Sequence, residues 1–241
     1  MSDAESSGSW RTSKCWPPRE STMEIWYLDA CRMRPAPPPD FAPPATTFSS
    51  EWGTGRCTAE FCPDFSIVEA LTSQEIPSAY ADGTAVFSMR RCLNNLELLG
   101  IPRVSLWVTC TRSDAAFAAR LTVLPPPGIC CLHPAPLLIS SGICRLALRS
   151  DPLLPMLSDG EQIPVQLNFQ LHPVSVRIPV GSMLRLEITS GDSPRFLPVL
   201  LAPSPAPRRW ESTIWHNARH PSRLILPVLN KDPPSSAPNR I

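Results

Sequence analysis

The stretch from Gln162 to Leu171, QIPVQLNFQL, alternates without a break. Ile163, Val165, Leu167, Phe169 and Leu171 fall on one side. Gln162, Pro164, Gln166, Asn168 and Gln170 fall on the other. A period of two held over this length belongs to a half-buried β-strand, because successive side chains of an extended backbone point to opposite faces. Pro164 lacks a donor but stands near the start, where a strand tolerates it.

The same pattern recurs on either side. Val104, Leu106, Val108 and Cys110 alternate with Ser105, Trp107 and Thr109; Phe117, Ala119, Leu121 and Val123 repeat it. Leu184, Leu186 and Ile188 stand opposite Arg185, Glu187 and Thr189, and Arg223 to Leu229 make a last apolar strand interrupted by Pro227. Turn-forming groups separate these runs: Ser113-Asp114, Pro125-Pro126-Pro127-Gly128, Ser158-Asp159-Gly160 and Gly191-Asp192-Ser193-Pro194. Short strands at this spacing, apolar on one face and polar on the other, describe two packed antiparallel sheets. The expected fold class is all-β, an antiparallel β-sandwich of the jelly-roll, galactose-binding-domain-like kind with long Pro-rich loops. Leu106, Phe117, Leu167, Phe169, Leu186 and Leu226 share the inward phase and are expected between the sheets. The one helical candidate, Phe65 to Leu71, is short.

Composition agrees. The chain holds 31 prolines in 241 residues, more than twice the usual share of about 5%. Proline is excluded from helix interiors and central strands, so a helical bundle is ruled out. Apolar residues make up 43%, enough for a sizeable core. The net charge of +1 gives no electrostatic reason to expect nucleic acid or an anionic membrane as partner. No apolar run approaches the roughly 18 residues of a membrane span. Met1 to Glu5 are polar and acidic, unlike a signal peptide, so the expected compartment is the cytoplasm. The expected organisation is an N-terminal segment over 1–34, a Pro-rich connector over 35–46, the sandwich over 47–231 and a disordered tail over 232–241.

Candidate chemistry is sparse. No G-x-S-x-G elbow occurs; Gly191-Asp192-Ser193-Pro194-Arg195 comes nearest, but Arg195 replaces the last glycine. There is no phosphate-binding glycine loop and no H-E-x-x-H. The chain has 9 cysteines, an odd number, without a CxxC pair. Cys57 and Cys62 come nearest to ligand spacing, Cys130 and Cys131 are adjacent, and Pro221 disfavours a helix that would pair His216 with His220. Such thiols more often serve as small buried apolar side chains. His133, His172, His216 and His220 read as surface or hydrogen-bonding residues. No catalytic, cofactor-binding or metal-ligating residue is assigned, and no cofactor is expected. Of the 7 tryptophans, Trp10, Trp16 and Trp26 cluster near the N-terminus. Trp107 is the lone aromatic on the polar face of its strand. Packing in a core or between domains is the commoner fate of such indoles, and a glycan-binding row is the alternative.

Several segments, taken in order, carry a family resemblance. Residues 103–124, RVSLWVTCTRSDAAFAARLTVL, resemble a signature of the C-terminal domain of the X-Pro dipeptidyl-peptidase and cocaine-esterase-like serine hydrolases. Residues 142–149 (GICRLALR), the strand at Gln162 to Leu171, Gly181 to Phe196 (GSMLRLEITSGDSPRF) and His220 to Val228 (HPSRLILPV) are similar to the segments that follow it in that family. Ser9 to Thr12, Trp16 to Pro18 and Ile25 to Leu28 look like its exit from the hydrolase domain, so the resemblance spans residues 8–229. Departures are Pro126-Pro127-Gly128 where the family has a P-D-G turn, Pro173-Val174-Ser175 where it has P-T-S, and a poorly matching stretch from Ile129 to Leu138. The resemblance implies a non-catalytic jelly roll. The family's Ser, Asp and His all lie upstream of this exit, so none carries over to this chain. It also implies a partner, an α/β-hydrolase catalytic domain on a separate chain. A free-standing peptide- or carbohydrate-binding sandwich is the alternative. Trp10, Trp16 and Trp26 would lie at the junction with the absent domain, so part of that region is expected to be an exposed apolar patch.

Overall fold

The computed structural model describes residues 12–39, 44–51, 83–112, 115–126, 136–148, 163–191 and 209–229. Several expectations lie outside these residues: the helix at Phe65 to Leu71, the turns at Ser113-Asp114 and Ser158 to Gly160, Trp10, His133, Cys57, Cys62, Cys130, Cys131 and the tail. Within the described residues, thirteen strands form: β1 Ser21–Asp29, β2 Arg32–Arg34, β3 Ala45–Glu51, β4 Thr84–Ser88, β5 Leu96–Gly100, β6 Arg103–Cys110, β7 Ala116–Leu124, β8 Leu137–Arg145, β9 Val165–Gln170, β10 Val174–Ile178, β11 Met183–Thr189, β12 Arg209–Trp215 and β13 Arg223–Leu229. A 3-10 turn follows β8 at Leu146–Leu148.

The strands make two layers. One is built on β6, in the order β3-β12-β6-β13-β1, with β9 on the other edge of β6 and β5 and β10 prolonging it. The second runs β4-β11-β7-β8. Among the described residues every pairing is antiparallel except one parallel contact, Arg32 with Ser88, which joins the layers through β2 and β4. Between the layers Phe48 of β3 meets Phe117 of β7 edge to face, ring centroids 6.5 Å apart. The chain is an all-β sandwich.

The alternating pattern has the expected phase. Leu106, Phe117, Leu167, Leu186 and Leu226 are fully buried in one core cluster. Two particulars differ. Ile163 is 56% exposed because the strand begins only at Val165. Phe169 is half-buried, packed against the core from its rim, since among the described residues the only ladder partner of β9 is β6. Pro227 does not interrupt β13. It falls where the neighbour of β13 changes from β6 (Ile225 opposite Arg103) to β5 (Val228 opposite Leu98), and there the ladder is already broken.

The expected polar faces of β7 and β11 are not turned to water. Arg120, Thr122, Glu187 and Thr189 are buried. A charge in such a place survives only if paired and hydrogen-bonded. Arg185 Nη2 lies 2.5 Å from Glu187 Oε1, Thr122 Oγ1 donates to the same oxygen at 3.3 Å, and Arg185 Nε donates to Thr122 Oγ1 at 3.2 Å. Arg120 stands directly opposite Glu187 across the β7–β11 pair. Pairing and hydrogen bonding around Glu187, invisible in a hydropathy pattern, let ionic side chains go inside.

Candidate functional site

The site grows from an interruption in the ladder along β6. Strands β12 and β13 lie end to end on one edge of β6: Trp215 pairs with Trp107, and Arg223 pairs with Ser105. Between them residues 216–222 leave the sheet, their neck closed by an isolated bridge between His216 and Pro221. The excursion deprives Trp107 N–H and Trp215 C=O of ordinary strand partners. Ser222 supplies both: its Oγ accepts from Trp107 N–H at 2.8 Å, and its hydroxyl donates to Trp215 C=O at 2.5 Å. Substituting Ser222 by Ala orphans one buried donor and one acceptor, so we expect a loss of about 2–4 kcal/mol. Urea midpoints with an unchanged m-value will measure it, and a loss under about 0.5 kcal/mol counts against the bridging role.

The excursion presents an aromatic shelf. Trp107 and Trp215 are cross-strand neighbours on the outward face. The Trp215 indole is held by a hydrogen bond from Nε1–H to Thr109 Oγ1 at 3.2 Å. The Asn217–His220 turn is fastened by His220 N–H to Asn217 Oδ1 at 2.7 Å. It lays the His220 ring on Trp107 at 4.9 Å and beside Trp215 at 6.2 Å. Nearby, Gln166 Nε2 donates to Ser105 Oγ at 3.0 Å. Both indoles are half-buried and fixed in orientation.

Desolvation, and secondarily the charge of Arg219, hold His220 below its ordinary value near 6.5. The unfolded chain therefore binds a proton that the folded chain resists. Stability from this group is full above pH 6.5 and is lost as pH falls through the window between 6.5 and the lower folded value. His220→Phe, which keeps a ring on the shelf, will lessen the fall in urea midpoint between pH 7 and pH 5.5. An imidazole titrating at or above 6.5 by NMR would sink the prediction.

None of this is hydrolytic machinery. Ser222 is near His220 in sequence, but it is buried and its hydroxyl is committed to two backbone groups. His216, also buried, faces the other way: Nε2 bonds Thr46 Oγ1 at 2.9 Å and the ring meets Phe87 edge-on. Thr46 spends its one proton on Ala30 C=O at 3.1 Å, which makes His216 Nε2 the donor. His172 is exposed and lies outside this cluster. Among the described residues no three His, Cys, Asp or Glu side chains gather to hold a metal. Nor is any helix among them long and apolar enough to cross a membrane. Nothing in the local sequence marks Trp215; its adjacency to Trp107 is a fact of register.

The sequence pattern of a family described as the X-Pro dipeptidyl-peptidase C-terminal non-catalytic domain matches residues 1–225. Among curated proteins none matches the chain. Among solved structures, an aminopeptidase from a marine sediment archaeon, Thaumarchaeota archaeon, superposes with a TM-score of 0.77 at 17% identity, covering 92% of this chain and 39% of its own. An α-amino acid ester hydrolase gives 0.74 at 18% identity, with coverages of 91% and 38%. A CocE/NonD family hydrolase from Staphylococcus aureus gives 0.56 at 14% identity, with coverages of 92% and 39%. At these identities the likeness is one of fold. The chain spans about two fifths of the length of the proteins it superposes on.

Proposed function

Because the chain belongs to the family of X-Pro dipeptidyl-peptidase C-terminal non-catalytic domains, we propose that it is the accessory β-sandwich that works with the α/β catalytic domain of a serine hydrolase. The observation that carries this reading is the pair of coverages. Nine tenths of this chain superposes on hydrolases, yet only 38–39% of each hydrolase is accounted for. Acyl transfer needs an activated serine, a base and an oxyanion hole in one preorganised site. In this reading all three belong to the partner, as does any activity on X-Pro dipeptides or esters.

The test is direct. Purified alone, the chain is expected to release no product from a fluorogenic X-Pro amide or a simple ester, and to take up no phosphonate serine probe. Stoichiometric labelling of one serine, with turnover abolished when that serine becomes alanine, would show that the chain is itself an enzyme. A second reading, a glycan- or peptide-binding module, is favoured by one observation, the outward Trp107–Trp215 pair. It predicts saturable quenching of indole fluorescence by an oligosaccharide or peptide, reduced by Trp215→Ala.

A further inference from the structure

The outward face of the β6 layer has more apolar character than a solvated sheet face warrants. Register puts Met23 opposite Pro227, Ile25 opposite Ile225 and Ile225 opposite Arg103, all on the side that carries Trp107 and Trp215 farther along. Antiparallel sheets with one wet face ordinarily show polar residues there. Here Met23 is 46% and Ile25 39% exposed, with Ile225 half-buried between β1 and β6. Leu93 and Val180 are exposed too, but they sit outside the strands, where a lone apolar side chain needs no explanation. An apolar strip across β1 and β13, with two indoles farther along the same face beyond Arg223 and Ser105, marks an interaction surface.

The course of the chain says what covers it. Pro17 and Pro227 converge on Gly100, where an added Cβ would come within 3.2 Å of Pro17 Cβ and 2.8 Å of Pro227 Cβ. The backbone ahead of β1 thus reaches the sandwich at the Pro227 end of this same face, with Trp16 exposed beside it. A domain described as C-terminal is joined to what precedes it through that segment. In the superposed hydrolases about three fifths of the polypeptide lies outside the match. Interfaces of lasting complexes have apolar centres and aromatic anchors, and this face has both, with Arg103 and Arg223 lying between them.

We infer that the outward face of β1, β13 and β6 is the docking surface for the α/β-hydrolase domain. Met23, Ile25 and Ile225 form its centre, and the Trp107–Trp215 shelf with His220 forms its far end. The inference rests on the accessory-domain reading and adds to it the surface by which the two parts meet.

A photo-crosslinking benzoylphenylalanine placed at Ile25, at Ile225 or, as control, at Leu93 of the full chain tests it in cells of the source organism, with products identified by mass spectrometry. The expected product, from Ile25 and Ile225 and not from Leu93, is a chain bearing G-x-S-x-G with a downstream Asp and His. The same hydrolase captured only from Leu93 overturns the surface and leaves the accessory role standing. A second copy of this chain, or no hydrolase from any position, overturns both. In parallel, Ile25→Arg is expected to weaken co-purification with that hydrolase by about tenfold or more while the thermal midpoint stays in place. Unchanged co-purification counts against the surface.

Discussion

Replacing Glu187 with alanine will lower the free energy of unfolding by about 3–5 kcal/mol. Glu187 is fully buried on β11, and its Oε1 takes both Arg185 Nη2 and the Thr122 hydroxyl. Truncation removes the only negative charge named in this row and leaves the Arg185 and Arg120 guanidiniums close together in a poorly solvated layer. The loss comes mainly from stranding buried charge and only in part from the bonds themselves. Glu187→Gln keeps the shape and one acceptor, so its loss should fall between that of alanine and zero. Converting Arg185 to Met and Glu187 to Leu together removes a buried charge of each sign, and should cost less than Glu187→Ala alone. Urea denaturation of the four proteins at pH 7 decides it; a double variant that loses as much as Glu187→Ala, or more, counts against stranded charge as the cause.

Phe117→Ala is expected to be of similar size, about 3–5 kcal/mol, for a different reason. Phe117 is fully buried on β7, and its ring stands edge-to-face with Phe48 at 88°. It therefore joins the second layer to β3 at the end of the first. Removing it leaves a cavity that two hydrogen-bonded layers cannot close by sliding, because their spacing is set by other side chains. The pair geometry adds about 0.5–1.5 kcal/mol beyond area. A double-mutant cycle with Phe48→Leu should recover a coupling of that order, and zero coupling would reduce Phe117 to a simple space-filler. Phe169→Ala, at the rim of the core, should cost less than Phe117→Ala.

Strand identity and phase could be read from residues such as Val165 and Leu167, because period two is a local property of extended backbone. So could the family resemblance, carried by segments such as RVSLWVTC and HPSRLILPV. Three things could not. The buried ionic row looks in sequence like an ordinary wet face, since Arg185, Glu187 and Thr189 alternate with leucine and isoleucine as solvent-facing residues would. The aromatic shelf depends on Trp215 lying opposite Trp107, more than a hundred residues away along the chain. The role of Ser222 depends on a gap between collinear strands, which exists only once β6 has both neighbours. Each is a consequence of long-range register, and spacing along one strand does not encode it.

The pairing of β1 with β13 also bears on how the molecule is made. β1 is made before the other described strands, yet its neighbours in the first layer are β13 and the short β2, so until β13 is made its long edge has no mate among them. β13 in turn fills the centre between β1 and β6. The first layer therefore closes only when β13 emerges, and until then β1 and β6 expose unsatisfied edges and apolar side chains to the cell. At translation speeds of about 5–20 residues per second, that exposure lasts roughly ten seconds or more. Nascent chains stalled before Arg223 should accordingly be protease-sensitive and bind holdase chaperones, and those extended past Leu229 and clear of the exit tunnel should not.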